Sequence, residues 1–391
     1  MIWNAIFGTL ALTSFGLTLW QWLVARKFPL HQRSTNAPVL KSAIPPSLTV
    51  LKPLKGQDCF TEECLRSWLA QDYAGELQFL FVVDPADELV CATVRRLLVE
   101  FPQHDAQLVI CTERLGENAK VSKLAFVEPS VRHQVLAVSD ADMFVPPDFL
   151  IHAVAPLNTT DVGMVTSFYQ LTTPGTLAHR CEAVAINADF WSQVLQARSL
   201  RPLDFALGAV MIFRRAALAE LGGFRVLANR LADDYQLGQH VTRRGARIEL
   251  CPLVAECRES PRGWSAVWRH QLRWARTIRV CAPRQYFASI LANVTLWSAL
   301  WLALDPGSLQ KSLAAACLLA RVAVAVDLQR RLTRSGTALG AAWLVPLKDA
   351  LQVALWLGAF LGNRIEWRGE TFRVRRDGVL EPDAPTPNRA R

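Results

Sequence analysis

The sequence predicts an α/β protein, a mostly parallel β-sheet covered by helices on both faces and flanked by transmembrane helices. Three observations predict it. Between residues 47 and 258, apolar runs of strand length alternate with stretches of helical spacing, the pattern of successive strand–helix–strand units. Several of those runs end in aspartate, placing carboxylates along one rim of the sheet, and that rim is where open α/β sheets bind ligands. Apolar segments long enough to span a bilayer lie before and after this region.

Residues 1–25 are the first predicted span, because the chain from Ile2 to Val24 is mostly apolar. Arg26, Lys27 and Arg33 follow at once, so the positive-inside rule assigns the next segment to the cytoplasm. A cleaved signal peptide is the competing reading, but no basic region precedes the run and no small-residue cleavage site closes it. Residues 26–46, with several Pro, Ser and Asn, read as a linker. Residues 47–258 form the predicted α/β domain. Within it, residues 47–56 read as a strand running into a basic turn, and 62–71 as a helix. Residues 77–84 are a buried strand ending in Asp84, 88–101 a helix, 107–112 a strand and 118–126 a short basic helix or loop. The apolar run from His133 leads into Ser139-Asp140-Ala141-Asp142. Residues 162–169 and 205–213 are further strands, the second containing Gly208, where a ligand can approach the backbone. Residues 176–197 are helical, and 231–238 open another helix with Asp233 and Asp234 in its first turn.

Residues 259–283 differ in character. Trp264, Trp268, Arg269, His270, Arg273, Trp274, Arg276 and Arg279 interleave there, as in an amphipathic helix lying in the bilayer interface. Residues 284–362 carry three apolar runs, at 286–304, 313–326 and 338–361. Arg321 interrupts the second, and Pro346, Lys348 and Asp349 break the third, which predicts a re-entrant hairpin at 346–349. Residues 363–391 are a basic tail, which favours a cytoplasmic location, with disorder after Glu381.

Composition narrows the function. A hydrophobic fraction of 51% and 13 Trp in 391 residues indicate bilayer contact. The net charge of +9 comes without a recognisable nucleic-acid module. It therefore points to anionic lipid or a phosphorylated substrate, and away from nucleic acid. The 9 cysteines are scattered with no CxxC pair, as expected of reduced core thiols in a cytosol-facing protein.

Taken singly, the charged residues keep two readings each. Asp140 and Asp142 either shape a turn or form an oxygen-rich corner for a hard cation such as Mg²⁺ or Mn²⁺. Asp233 and Asp234 are favoured in a first helical turn by the dipole alone. Lys120 and Lys123 either contact phosphate or are solvated surface lysines.

In order along the chain, Asp84, Asp140-Ala141-Asp142, Asp233-Asp234 and His270-Gln271-Leu272-Arg273-Trp274, between membrane segments, resemble the ceramide glucosyltransferase family. That family shares a D, DxD, D, (Q/R)xxRW pattern with the cellulose- and chitin-synthase superfamily. Leu51-Lys52-Pro53-Leu54-Lys55-Gly56 and Ala232-Asp233-Asp234-Tyr235 look family-specific, and the resemblance extends to Trp367-Arg368-Gly369, covering nearly the whole chain. Residues 185–187, 197–200 and 270–277 look most similar to the bacterial branch tied to hopanoid synthesis.

The resemblance implies a GT-A fold and inverting transfer of glucose or N-acetylglucosamine from a UDP-sugar to a membrane-lipid hydroxyl. In that branch the acceptor is a bacteriohopanepolyol; ceramide is the alternative. It further implies a catalytic domain on the cytoplasmic face of the bacterial inner membrane. Asp84 would hold the uridine, while Asp140 and Asp142 would bind UDP and its Mg²⁺ or Mn²⁺, with Asp142 the direct ligand. Asp234 would be the general base, Arg273 and Trp274 would close over diphosphate and acceptor, and Lys120, His270 and Gln271 would add donor contacts. The chemistry suits these residue types: developing diphosphate charge calls for cations, and a lipid alcohol needs a carboxylate to take its proton. One departure is His270 where the family has Gln or Arg; its charge would vary near neutral pH, and Gln271 or Arg269 can substitute. A processive polysaccharide synthase would need more membrane helices to carry a polymer, and a silent lipid- or nucleotide-binding protein would not need every acidic position.

Overall fold

The computed structural model describes residues 2–33, 45–172, 175–304, 306–367 and 369–383. Most of the expected linker and, from residue 384, the expected disordered end lie outside the described residues. Eight strands form one sheet: β1 (Leu48–Pro53), β2 (Leu77–Val83), β3 (Asp105–Ile110), β4 (Val135–Ser139), β5 (Met143–Phe144), β6 (Val162–Leu171), β7 (Val210–Arg214) and β8 (Arg247–Cys257). Their spatial order is β3-β2-β1-β4-β7-β6-β8-β5. β1 pairs in parallel with β2 and β4, β2 with β3, and β6 with β8. β7 runs against β4 and β6, and β5 against β8. The sheet is therefore mixed, mostly parallel with two reversed strands. Every residue of β1 and β4 is buried, which explains their continuous apolar runs; Lys52 is the charged exception. The strand expected from residue 205 begins only at Val210, because residues 205–206 are pressed against Gly238 of the helix Asp233–Arg243.

Two apolar layers cover the sheet. One gathers Trp68, Phe149 and Leu97 against it. The other gathers Leu124, Trp191 and Phe224, and includes Ala25 of the N-terminal helix (Ile2–Lys27) and Val324, Leu328 and Leu332 of the helix Ser308–Thr333. Those two 26-residue helices are long and apolar enough to cross a membrane. Their near ends thus pack into the core of the sheet, where Trp22 Nε1 donates to Asp327 at 2.8 Å. A third candidate span is a pair, Pro283–Ala292 and Val294–Ala303, bent by 52°. Its far end reaches the start of the N-terminal helix, where Trp301 packs with Ala11 and Ala314.

The basic tail is not extended chain. β9 (Arg364–Trp367), β10 (Glu370–Val374) and β11 (Leu380–Pro382) form a second, antiparallel sheet. Leu231 N–H donates to Gly378 O at 3.0 Å and Leu380 N–H to Asn229 O at 2.8 Å, so this sheet is sewn to the α/β domain. The 17-residue helix Leu344–Phe360 precedes this sheet. The expected hairpin at 346–349 is not there: Pro346 occupies the first turn of that continuous helix, where a missing N–H breaks no intrahelical bond. The bend falls at Asn293 instead.

The charges that interrupt the apolar runs pair with one another. Arg321 Nη2 lies 2.8 Å from both Asp189 and Asp349. Lys348 contacts Asp189 and lies 2.6 Å from Asp349, while Thr295 Oγ1 donates to Asp349 at 2.6 Å. All four ionic groups are buried, so they interact in low dielectric and each depends on its partners. Arg321→Met leaves two buried carboxylates to one lysine and is expected to cost about 3–5 kcal/mol, read as a lower unfolding midpoint of the detergent-solubilised protein. An unchanged midpoint would contradict this role.

Candidate active site

Asp84 follows β2 directly, and Asp140 and Asp142 occupy the tight turn from β4 into β5, so the three carboxylates sit along one rim of the sheet. The helix Ala119–Val127 faces that rim. Its first turn is set by Asn118, whose side chain accepts from Val121 N–H at 3.1 Å, and Lys120 and Lys123 lie one turn apart on one side. Lys123 Nζ is 2.7 Å from Asp84 Oδ2 and 2.5 Å from the Leu54 carbonyl. Lys120 Nζ is 2.8 Å from Asp140 Oδ1, 3.2 Å from Gly208 O and 3.7 Å from Asp233 Oδ2. Neither is a solvated surface lysine. Burial works against the Lys120 charge, yet Asp140 and Asp233 outweigh it and hold its ammonium above the ordinary range.

Beneath the turn lies Lys52, a residue with no role assigned from sequence. Its ammonium donates to Asp140 O at 2.5 Å and Ser139 Oγ at 3.2 Å, and stands 4.7 Å over the Trp68 ring. Burial pulls it down to about 8. The signal in the sequence was a lysine inside an otherwise apolar strand.

Asp234 starts the helix Asp233–Arg243 and packs against the chain entering β7. A Cβ added at Gly208 would stand 2.8 Å from Asp234 Oδ2. The close approach expected at Gly208 is thus made by this carboxylate. Burial, with Asp233 beside it, pushes the Asp234 carboxyl up to about 6. Such a group is ionised at neutral pH yet basic enough to take a proton.

Asp142 faces a different set. A carboxylate oxygen of Asp142, the Cys257 thiol and a carboxylate oxygen of Glu259 lie within 4.8 Å of one another. Glu259 also belongs to a second buried group with His179 and Glu182, with His179 Nε2 3.1 Å from Glu259 Oε1. Paired carboxylates at this separation suit a hard divalent cation that takes its remaining ligands from phosphate and water. Asp140, by contrast, is turned toward Lys120.

The helix Trp264–Cys281 carries the expected Arg-Trp pair, and its side chains divide. His270 Nδ1 lies 2.6 Å and Gln271 Nε2 2.8 Å from Glu182 Oε1, so both turn to this buried carboxylate and not to the Asp84–Asp140 rim. Burial lowers the His270 imidazole below its ordinary value. Burial also works to raise Glu182, but His270, Gln271 and Arg262 hold it low. His270 Nδ1 and Gln271 Nε2 therefore share Glu182 Oε1, and that carboxylate, not the Asp84–Asp140 rim, engages the His270 ring. Trp274 packs tilted against His270 (ring centroids 5.0 Å apart) and Phe190 (5.6 Å). Arg273 lies 5.2 Å over Trp367 of β9.

Trp367 leads back to the rim. An open space of about 450 Å³ is lined by Lys55, Lys120, Lys123, Asp140, Trp367 and Glu370, among others. One wall is the sheet, the other the β9–β11 sheet, held across the opening by Glu370 at 2.7 Å from Arg114 and 3.6 Å from Lys55. Sequence reasoning missed Glu182, His179, Glu259 and Glu370. Glu182 was the most visible of them, a carboxylate between Cys181 and Ala183 at the start of the apolar run that follows His179-Arg180. Gly208→Ala would displace the Asp234 carboxylate; a displacement near 1 Å at a reacting group costs on the order of 10²-fold in rate. Activity is therefore expected to fall by about that factor. Full activity in this variant would exclude Asp234 from the chemistry.

The mannosyltransferase PcManGT from Pyrobaculum calidifontis, solved with GDP-Man and Mn²⁺, superposes with a TM-score of 0.58 at 22% identity, covering 92% of this chain and 98% of that one. That likeness shows the fold, a GT-A glycosyltransferase fold. Ceramide glucosyltransferase 3 of Caenorhabditis elegans is 22% identical over 255 residues, 64% of this chain and 53% of that protein. An N-acetylglucosaminyltransferase of Sinorhizobium fredii is 26% identical over 276 residues, 64% of this chain and 61% of that protein. The matched region thus spans roughly half to three fifths of these relatives' own length. Residues 7–380, nearly the whole chain, match the model of glycosyl transferase family 21, and the chain belongs to that family of glycosyltransferases.

Proposed function

We propose that this protein transfers one hexose, glucose or N-acetylglucosamine, from a UDP-sugar to the hydroxyl of a membrane lipid, with inversion at the anomeric carbon. The observation that carries the reading is the junction at Lys120, which brings Asp140 of the donor rim next to the helix that starts with Asp233 and Asp234. The donor diphosphate lies in the space lined by Lys55, Lys120 and Lys123, where cations offset the charge gained by the leaving group. Asp84, at the end of β2, meets the uridine. Asp142, with Asp140 beside it and Glu259 and Cys257 near it, is the place for Mg²⁺ or Mn²⁺, which when bound supplies Lewis-acid stabilisation of the departing diphosphate. Arg273 and Trp274 border donor and acceptor from the amphipathic helix.

Asp234 takes the proton of the acceptor hydroxyl as its oxygen attacks the anomeric carbon. The new C–O bond forms as the bond to the UDP oxygen breaks, and UDP leaves with the electron pair. One base and no covalent intermediate give inversion. The acceptor is membrane-embedded, consistent with the apolar helices packed into the core of the catalytic sheet, and the domain faces the cytoplasm, where UDP-sugars are found. The hopanoid-like stretches favour a bacteriohopanepolyol at the bacterial inner membrane. Ceramide is the second reading, supported by the names of the worm relatives.

Lipid mass spectrometry after expression in hosts making hopanoids or ceramides tests the reading: one hexose added to one of these lipids is expected, and a polymer or no glycolipid would refute it. Asp234→Asn should keep UDP-sugar affinity and lose at least about 10²-fold in transfer. Since the Asp234 carboxyl lies at about 6, its basic form is depleted as pH falls through that value. Turnover is expected to decline on the acid side near pH 6, and a rate that stays flat down to pH 5 would exclude Asp234 as the base.

A further inference from the structure

A second cavity opens among the apolar helices, away from the donor rim, and the transfer reaction as described does not use it. Its space of about 430 Å³ is bounded by Gln21 of the N-terminal helix, Asn293 at the bend, Gln193, Gln352, and the Arg321–Asp349 pair. We propose that it binds a neutral hydroxyl or amide group in the head of the membrane-lipid acceptor; the proposal rests on the lipid-transfer reading above.

Four observations carry it. Polar and ionisable groups within apolar helices are costly and face an interior or a water-filled cavity, where they mark a pathway or a site. Here they face a cavity. Asp189 and Asp349 balance Arg321 and Lys348, so the wall carries no surplus cation for a phosphate and suits an uncharged hydrogen-bonding group. Asp189 itself sits in a π-helical stretch, Ala185–Phe190, a widened turn that recurs at functional sites. The position also fits: Gln21 is four residues, about 6 Å along the helix axis, from Ala25, where the N-terminal helix enters the core of the sheet.

The cavity therefore lies at the depth of a lipid head on the catalytic side. It borders the reaction site as well, because Phe190, next to Asp189, is the residue that meets Trp274. Two of its lining residues, Gln193 of the helix Trp191–Leu200 and Gln352 of the helix Leu344–Phe360, are exposed. An exposed amide on the apolar side of a helical layer suits a polar group arriving from within the bilayer.

The test uses the full chain in phosphatidylcholine vesicles containing a ceramide, or in a second arm a hopanoid polyol, with a photoreactive diazirine in the head region. Irradiation followed by peptide mass spectrometry is expected to place adducts on residues 283–303 and 344–360. One hydrogen bond to a neutral group corresponds to about two- to ten-fold in affinity. Gln193→Leu, which leaves the ionic cluster intact, should lower the adducts by that factor and raise the acceptor KM similarly, with UDP affinity unchanged. The lipid that labels identifies the source of the head group. Adducts spread evenly over all helices, or unchanged in both Gln193→Leu and Gln352→Leu, would overturn the proposal. Sugar transfer without cavity labelling removes the cavity and keeps the function; cavity labelling without transfer does the reverse.

Discussion

One buried ammonium joins the parts of the candidate active site. Lys120 touches the carboxylate that ends β4, the carbonyl of Gly208 before β7, and the first carboxylate of the helix Asp233–Arg243. Three segments far apart in sequence converge on a point where carboxylates would otherwise repel one another in a low-dielectric pocket. Lys123 does the same for Asp84, and Lys52 holds the backbone of the Asp140 turn from below. The lysines thus serve as structure, and in the proposed reaction the same positive charge would face the donor diphosphate.

A second buried chain ties the amphipathic helix to that turn. It runs from His270 and Gln271 to Glu182, through His179 and Glu259, to the group containing Asp142. These neighbouring buried groups connect the amphipathic helix with the aspartate turn, and the two long apolar helices share the core of the sheet. The rim of the sheet and the apolar helices are thus fixed relative to each other by packing, as the proposed transfer between a soluble donor and a lipid acceptor requires.

Much of the fold was legible in the sequence because its signals are local. Strand ends, the turn at Asp140–Asp142 and the amphipathic helix each announce themselves within a dozen residues by periodicity and charge. What was hidden depends on contacts across long separations. The shortened strand after Gly208 follows from the packing of a later helix, and β7 runs antiparallel between β4 and β6. The tail reads as basic and polar, yet forms a sheet because it pairs with residues 229–231, over a hundred positions earlier. Lys120 and Lys123 look like surface lysines until their carboxylate partners are seen. His270 looks like a phosphate contact until Glu182, buried in another helix, claims it. The break at Pro346–Asp349 looked like a hairpin because Lys348 and Asp349 stand alone in the sequence; in space they are half of a neutral cluster.

The stereochemistry of the product tests the central claim, a single direct displacement assisted by one carboxylate base, more directly than any rate. The anomeric configuration of the glycolipid made by the full chain from an α-linked UDP-hexose can be read from the proton coupling at the anomeric carbon. The account predicts one sugar per lipid in β linkage. An α-linked product would contradict it, because retention requires a second displacement or an internal return that Asp234 as a lone base does not provide.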